Sequence, residues 1–285
     1  MEIKASQVKE LRDMTGVAMM ECKKALVECS GDIEKALDLL RSNSALKAEK
    51  KAARVAADGV LRVHVGDDYS TLIEINSETD FAAKDENFIK FADDVQKFIS
   101  ENKLTDIADI QASEVEDKRK ALVQTIGENI QLRRLETIEY SSEMNTSSYV
   151  HSDSKLGSIV VISGGDETLA KDIAMHVAAF NPLCLSEADI DPEILEREKA
   201  IYMVQAEESG KPQEIMEKMI EGKLKRFLSE VSLLSQNFVK DPEVTIQNLL
   251  DSNNANIESY TRLKVGEGIE VETKNFADEV AEQLK

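Results

Sequence analysis

The 285-residue sequence is poor in the residues that carry most protein chemistry, with three cysteines, three histidines and no tryptophan. Cys22, Cys29 and Cys184 form an odd and scattered set. On one helix Cys22 and Cys29 would stand two turns apart, about 10 Å, too far to bridge. The three read as small core residues of a reducing compartment. Positive charge is also scarce: 35 Lys and Arg against 55 Asp and Glu give a net charge of −20. Phosphate-backbone binding needs a basic face, so direct nucleic-acid binding is not expected. No apolar run approaches membrane-spanning length, and the opening "MEIKASQVKELRD" has no apolar signal region, which predicts a cytoplasmic protein that does not engage membranes.

Catalytic constellations are missing as well. His64, His151 and His176 are far apart, and no Cys/His spacing suggests zinc. His64 falls in a strand-like run and His176 near the apolar stripe of a helix, where a histidine is more commonly a satisfied core residue than a base. There is no G-x-S-x-G elbow, and Cys184 has no local nucleophile signature. "SGGDE", residues 163 to 167, lacks the Lys-Ser/Thr of a P-loop and the later glycine of the dinucleotide fingerprint. It opens a helix, so phosphate binding there is an alternative to a simple tight turn. The balance favours a protein that acts by binding another protein, with no catalytic residues, no metal and no cofactor.

What is present is a clear change of period along the chain. Residues 1 to 41 read as three short helices. Ser6 is placed to cap the first, with Val8 and Leu11 facing inward, and Thr15-Gly16 stops it. Ala18, Cys22, Ala25, Leu26 and Cys29 share one stripe of the second. Ser30-Gly31 ends it, and Asp32 caps a third whose inner face is Ile33, Ala36, Leu37 and Leu40. Met20 points away from the stripe of the second helix and Met19 lies at its edge. With Arg12 they form either ordinary exposed surface or an adaptable contact patch. Residues 42 to 57 look like a helical connector whose Lys47, Lys50, Lys51 and Arg54 form a basic stripe. That stripe is either a solvated face or a contact for an acidic partner.

"GVLRVHV" and "YSTLIEI" then alternate around "GDD", a β-hairpin. A helix carrying Phe88, Phe91, Ala92, Val95, Phe98 and Ile99 on one side follows. Helical sequence around 113 to 127 leads into the strand-like "NIQLRRLETIEY". Strand, turn and helix recur in "KLGSIVVIS", "GGDE" and a helix with Leu169, Ile173, Val177 and Phe180 on one stripe; "ESYTRLKV" and "IEVET" supply later strands. The expected fold class is α+β, with two halves that each pack a small antiparallel sheet against helices. Two long helices around "SGKP" interrupt the second half as an antiparallel hairpin, with Ile194, Ile201 and Val204 answered by Ile215, Met219 and Phe227. Such a hairpin has little core of its own, and it is a candidate homodimer contact. "NFADEVAEQL", with Phe276, Val280 and Leu284, marks a C-terminal amphipathic helix.

The stretch "NSETDFAAKDENF", residues 76 to 88, joins a strand to a helix. A helix beginning at Asp80 would place Lys84 near the middle of the apolar face, which is costly without partners. Asp85 is a good N-cap, so the helix is expected to start there and "TDFAAK" to form a loop at its mouth. Physics alone leaves Phe81 either buried or exposed.

This segment resembles the "TDFVAK(D/N)xxF" signature of the elongation factor Ts family, the bacterial-type exchange factors for elongation factor Tu. "VKELRDMTGVAMMECKKALVECSGDIEKAL" is similar to the ubiquitin-associated-like N-terminal domain of that family. "VAADG", "IGENIQLRR", "IAMHVAAFNP", "SGKPQEI" and "VGEGIEVET" match further landmarks in order. The resemblance implies an N-terminal helical domain and linker over 1–54, core halves at 55–140 and at 141–181 with 229–263, a coiled-coil hairpin at 182–228 and a C-terminal module at 264–285. It implies that Thr79, Asp80, Phe81 and Ala82 push into a GTPase near its magnesium site, the ring wedging between the partner's side chains. Arg12, Met19 and Met20, and less directly His151 and the helix around Phe276, are implied as further contacts. Ala82 stands where valine is usual, Asn237 where proline is common, and "EYSSEMNTSSYVHSDSK" is longer than the family pattern. A ribosome-associated or chaperone-type adaptor is the competing reading.

Overall fold

The computed structural model describes residues 3–270. The chain opens with α1 (Ala5–Thr15), α2 (Met19–Glu28) and α3 (Ile33–Lys51) around a small core of Leu11, Cys22, Leu26, Ala36 and Leu40. Gly16 ends α1 in the left-handed region at φ 67°, a conformation open to glycine. The Asp32 carboxylate accepts from the Lys35 amide at 3.1 Å and caps α3. Ser6 is not a cap: the Gln7 side chain reaches back to the Lys4 amide at 3.1 Å, so α1 starts one residue ahead of it. No glycine or proline interrupts 33–51, and α3 therefore continues into the expected helical connector as far as Lys51. Three of the four residues of the basic stripe bind the chain's own groups. Lys47 pairs with Glu21 at 2.5 Å, Lys51 Nζ donates to the Gly127 carbonyl, and Arg54 pairs with Glu78 at 3.4 Å.

The first sheet is antiparallel, in the order β1 (Asp58–Val65), β2 (Tyr69–Ser77), β3 (Gln131–Glu139). Between β2 and β3 lie α4 (Asp80–Ala83), α5 (Glu86–Asn102), α6 (Ile107–Gln111) and α7 (Glu114–Ile126). Phe88, Val95 and Ile99 of α5 and Val123 of α7 pack on Ile73 and Ile75 of β2. The second sheet, in the order β4 (Asn145–Val150), β5 (Leu156–Ser163), β8 (Asn256–Lys264), is backed by α8 (Glu167–Phe180) through Ile173 and Val177. The two sheets meet through Leu61, Leu72, Ile159 and Leu263. Each central strand thus has helices on one face and the other sheet on the other. All nine residues of β2 are buried, so alternation in "YSTLIEI" does not separate core from solvent here.

One consequence is a buried acid. Glu74 of β2 is 0% exposed at the sheet-sheet face. It accepts from Arg133 at 3.1 Å, Arg134 at 2.5 Å, the Asn76 amide at 2.9 Å and the Gly266 backbone amide at 2.8 Å. Arg134 also donates to the Lys264 carbonyl at 2.6 Å and Arg133 to that of Glu267 at 2.7 Å. The turn after β8 is thereby stitched to the first sheet. Gly266 sits there at φ 75°, and a Cβ at this position would lie 2.2 Å from the Ala57 carbonyl oxygen.

Four elements escaped the pattern reading: α6, β4, the hairpin of β6 (Asn237–Phe238) and β7 (Asp241–Thr245), and α11 (Ile246–Ser252). β4, "NTSSYV", buries Ser147 alone and is held by its pairing with β5. Within "IEVET", Ile269 and Glu270 are not in a strand, and the rest lies outside the described residues, as does the expected C-terminal helix.

The "GGDE" turn is tight. Gly164 and Gly165 both have positive φ, and a Cβ on Gly164 would lie 2.1 Å from the Asn254 carbonyl oxygen. Asp166 caps α8 at the Leu169 amide, 2.8 Å. Phe180 departs from expectation: it is 50% exposed at the end of α8, stacked on His176 with centroids 4.6 Å apart. His176 is fully buried, as a core histidine should be. Its Nδ1 accepts from the Val239 amide at 3.2 Å, which leaves the proton on Nε2 to donate to Gln236 at 2.9 Å. Burial holds this imidazole below its ordinary value, with the Gln236 contact opposing. The unfolded chain therefore takes up a proton that the folded chain refuses, and stability should fall as pH drops below about 6.5. Ring resonances of His176 followed by NMR should titrate with a midpoint below the ordinary imidazole value of about 6.5, and a midpoint at or above it would overturn this account.

The helices α9 (Pro192–Glu208) and α10 (Gln213–Val231) lie against each other, with Lys223 Nζ 5.5 Å from the Tyr202 ring centre. Ala206 is the buried residue of their seam. Ile201, Val204 and Ile215, expected in that seam, face solvent instead. A pair of helices buries one stripe of each, and here Tyr202 and Ala206 occupy it on α9. No helix among the described residues is long and apolar enough to cross a membrane.

Candidate protein-binding surface

The connection from β2 to α5 is where chain direction, capping and exposure converge. Asp85 caps α5 as expected, accepting from the Asn87 and Phe88 amides at 2.8 and 3.4 Å. The residues before it are not an open loop. Asp80–Ala83 form one helical turn, capped by the Thr79 hydroxyl, which accepts from the Ala82 amide at 3.2 Å. A break at Lys84 separates this turn from α5, so the two need not share one apolar face.

The turn sorts its side chains by phase. Ala82 and Ala83 point inward and are 5% and 4% exposed. Phe81 is 82% exposed. In the free chain Ala82 therefore lies beneath the turn, while Phe81 faces outward. Asp80 and Lys84 pair across the top at 2.7 Å. That hydrogen bond is the main reason the Asp80 carboxyl sits below its usual value, with Lys155 adding a smaller electrostatic pull. Both groups are solvated, so their pairing contributes little to stability.

The decisive support comes from residues that pattern reading passed over. Glu128 accepts from the Thr79 hydroxyl at 2.7 Å and from the Thr79 amide at 2.9 Å. In return, Glu78 accepts from the Asn129 amide at 2.6 Å, and Asn129 Nδ2 donates to the Arg54 carbonyl at 2.8 Å. The signal available in sequence was a polar pair, Glu128-Asn129, straight after the helix stop Gly127.

The other expected contact residues lie on neighbouring elements. Met19 and Met20, at the start of α2, are 46% and 65% exposed, and Arg12 is exposed on α1. Glu21 ties α2 to α7 through Gln124 at 3.3 Å, and α7 ends one residue before Gly127. His151 stands half-exposed beyond β4, its Nδ1 3.0 Å from Asp153. The tip that carries it is fixed to β1 by the Leu61 amide, which donates to the Ser154 carbonyl at 2.7 Å, and by the Lys155–Asp58 pair at 2.8 Å. Phe276 lies outside the described residues.

A protruding aromatic held on a braced turn, and methionines exposed on a separate helical unit, give this α+β protein side chains of the kind that protein contact surfaces favour. Comparison with known proteins sharpens the class. Residues 78–267 match the family model described as Elongation factor TS. Elongation factor Ts of Hahella chejuensis is 51% identical over 285 residues, spanning 99% of each chain. That of Francisella tularensis subsp. novicida is 48% identical over 289 residues, again 99% of each, and that of Thioalkalivibrio sulfidiphilus 46% over 292, covering 100% of this chain and 99% of the relative. The chain belongs to the elongation factor Ts family, and it is a translation elongation factor.

Proposed function

We propose that this chain is a guanine nucleotide exchange factor that binds elongation factor Tu in its GDP form, dislocates the bound magnesium ion and promotes GDP release so that GTP can enter. The observation that supports this most is the 82% exposure of Phe81 on a turn whose backbone is tied down. An aromatic ring so placed suits insertion between side chains of a partner. Magnesium neutralises phosphate charge, so displacing it weakens the nucleotide. Each tenfold weakening of GDP takes about 1.4 kcal/mol of differential affinity. By linkage, nucleotide weakens binding of the factor by the same ratio, which lets GTP complete the cycle. No bond is made or broken in the factor, so it is not an enzyme in the chemical sense, and it needs no cofactor of its own.

In this reading the turn of Thr79, Asp80, Phe81 and Ala82 enters the partner, and Arg12, Met19, Met20 and His151 contact it around them. The N-terminal helices serve as a ubiquitin-associated-like docking domain, the α9–α10 pair as a coiled-coil insertion that also offers a homodimer contact, and translation places the protein in the cytoplasm. The distinct clusters of the N-terminal helices and of the helix-covered face of each sheet support a division of the chain near 54 and 140, with the two sheets joined through Leu61, Leu72, Ile159 and Leu263. An adaptor function is the competing reading, favoured by the exposed Ile201, Met203, Val204 and Ile215 of the hairpin. Release of fluorescent GDP from purified elongation factor Tu separates the two. Acceleration by this chain supports exchange, and an unchanged rate sinks it.

A further inference from the structure

We propose that Glu128 is a positioning residue for the Phe81 turn: its carboxylate, set at the end of α7, holds the ring in its outward, contact-ready orientation. The inference rests on the exchange reading above for its functional consequence, and on geometry alone for the orientation of the ring. One turn of four residues has no stability of its own, because helix nucleation is unfavourable and few bonds repay it. Something outside α4 must hold it.

The hydrogen bonds identify that element. A threonine hydroxyl has one hydrogen to give. Because Thr79 spends it on Glu128 at 2.7 Å, its lone pairs are left to accept from the Ala82 amide at 3.2 Å. Glu128 therefore sets the direction of the cap as well as the place of the residue that makes it. Its second oxygen takes the Thr79 amide at 2.9 Å. A charged acceptor with two such donors is among the stronger arrangements available. Glu78 grips Asn129 in the reverse direction, so residues 78–79 and 128–129 move only together. Arg54 is the cation paired with this cluster, 3.4 Å from Glu78, while beside Glu128 the Gly127 carbonyl accepts from Lys51 Nζ, which is partly desolvated. Burial and the Arg54 charge lower its ammonium value, while Glu78 and Glu128 act against that shift.

The expected result of losing the brace is a ring that samples inward or disordered positions. Apparent affinity falls in proportion to the fraction of chains in the competent state. Glu128→Ala should therefore raise the concentration of the chain needed for half-maximal GDP release by about tenfold, with a smaller change in the maximal rate. Glu128→Gln, which keeps one acceptor oxygen, should fall between. In a Phe81→Ala background the same change should add almost nothing, because no ring remains to be positioned. An unaltered half-saturating concentration in Glu128→Ala overturns the proposal, as does a full additional loss in the double variant.

A second measurement is independent of the partner. The chain has no tryptophan, so Phe81→Trp creates a single fluorophore at the turn. In the free full-length chain its anisotropy decay should show faster local motion once Glu128→Ala is added. An unchanged decay refutes the positioning role. If the wild-type chain does not accelerate GDP release at all, the exchange reading fails on its own, and the anisotropy alone decides whether Glu128 holds the turn.

Discussion

Phe81→Ala is expected to leave the melting temperature of the chain unchanged and to slow its acceleration of GDP release from elongation factor Tu by about 30-fold or more. The two halves of that expectation have different physical sources. The ring is 82% exposed and belongs to none of the hydrophobic cores, so removing it opens no cavity. The alanines beside it, which do pack, are retained. The functional loss follows from the size of a well-placed aromatic anchor, about 2 kcal/mol or more at an interface. Asp80→Ala should act in the same direction, since its surface pair with Lys84 contributes little to folding. Thermal unfolding and fluorescent GDP release on the same preparations test both. A lower melting temperature in Phe81→Ala would mean that the ring packs on the chain; unchanged exchange would mean that it is not the anchor.

Glu74→Ala should be the most damaging single change for stability, at about 3–5 kcal/mol. The side chain is completely buried, and its removal leaves Arg133 without its acid, Arg134 with only Glu267 at 4.0 Å, and the Gly266 amide without an acceptor. Breaking one side of a buried ion pair costs far more than the pair contributes, because the remaining charge stays desolvated. The acid also has a pH signature. Burial alone would raise its carboxyl, but the Gly266 and Asn76 amides and the Arg134 guanidinium outweigh burial and hold it below the ordinary value. The folded state is thus the stronger acid. Its stabilisation is complete above the unfolded value of about 4.3 and is lost as pH falls through the lower folded value. Urea unfolding from pH 7 to pH 3 should show the gap between the wild-type chain and Glu74→Gln narrowing in acid. A constant gap would show that Glu74 does not change its charge with the rest of the network in place.

Much of the architecture was legible because local periodicity and capping agree with the final fold. The helix stops at Gly16 and Ser30-Gly31, the caps at Asp32 and Asp85, and the β1–β2 hairpin all lie where residue type requires them. Reading failed where a residue's fate depends on distant chain. Ser6 lost its cap position to Lys4, because the Gln7 side chain reaches back to the Lys4 amide and lets α1 start earlier. Ile201, Val204 and Ile215 were apolar letters on helices whose mutual rotation no local pattern defines. β4 is a strand made of "NTSSYV" only because β5 offers it an edge.

The site divides in the same way. By themselves the residues of 76–88 determined that an acid-capped helix begins at Asp85 and that a polar turn carrying one aromatic precedes it, since N-cap chemistry and the charge of Lys84 are local matters. Family resemblance attached that turn to a partner. Whether Phe81 faces in or out was decided only in three dimensions, by the burial of Ala82 and Ala83 beneath it and by a carboxylate 49 residues away that fixes the Thr79 cap. The burial of Glu74 was decided there too, because a second sheet covers a face that alternation alone would have left to water. Periodicity reports what one element prefers; the covering of both sheet faces and the meeting of 79 with 128 arise from chain segments that share no local sequence.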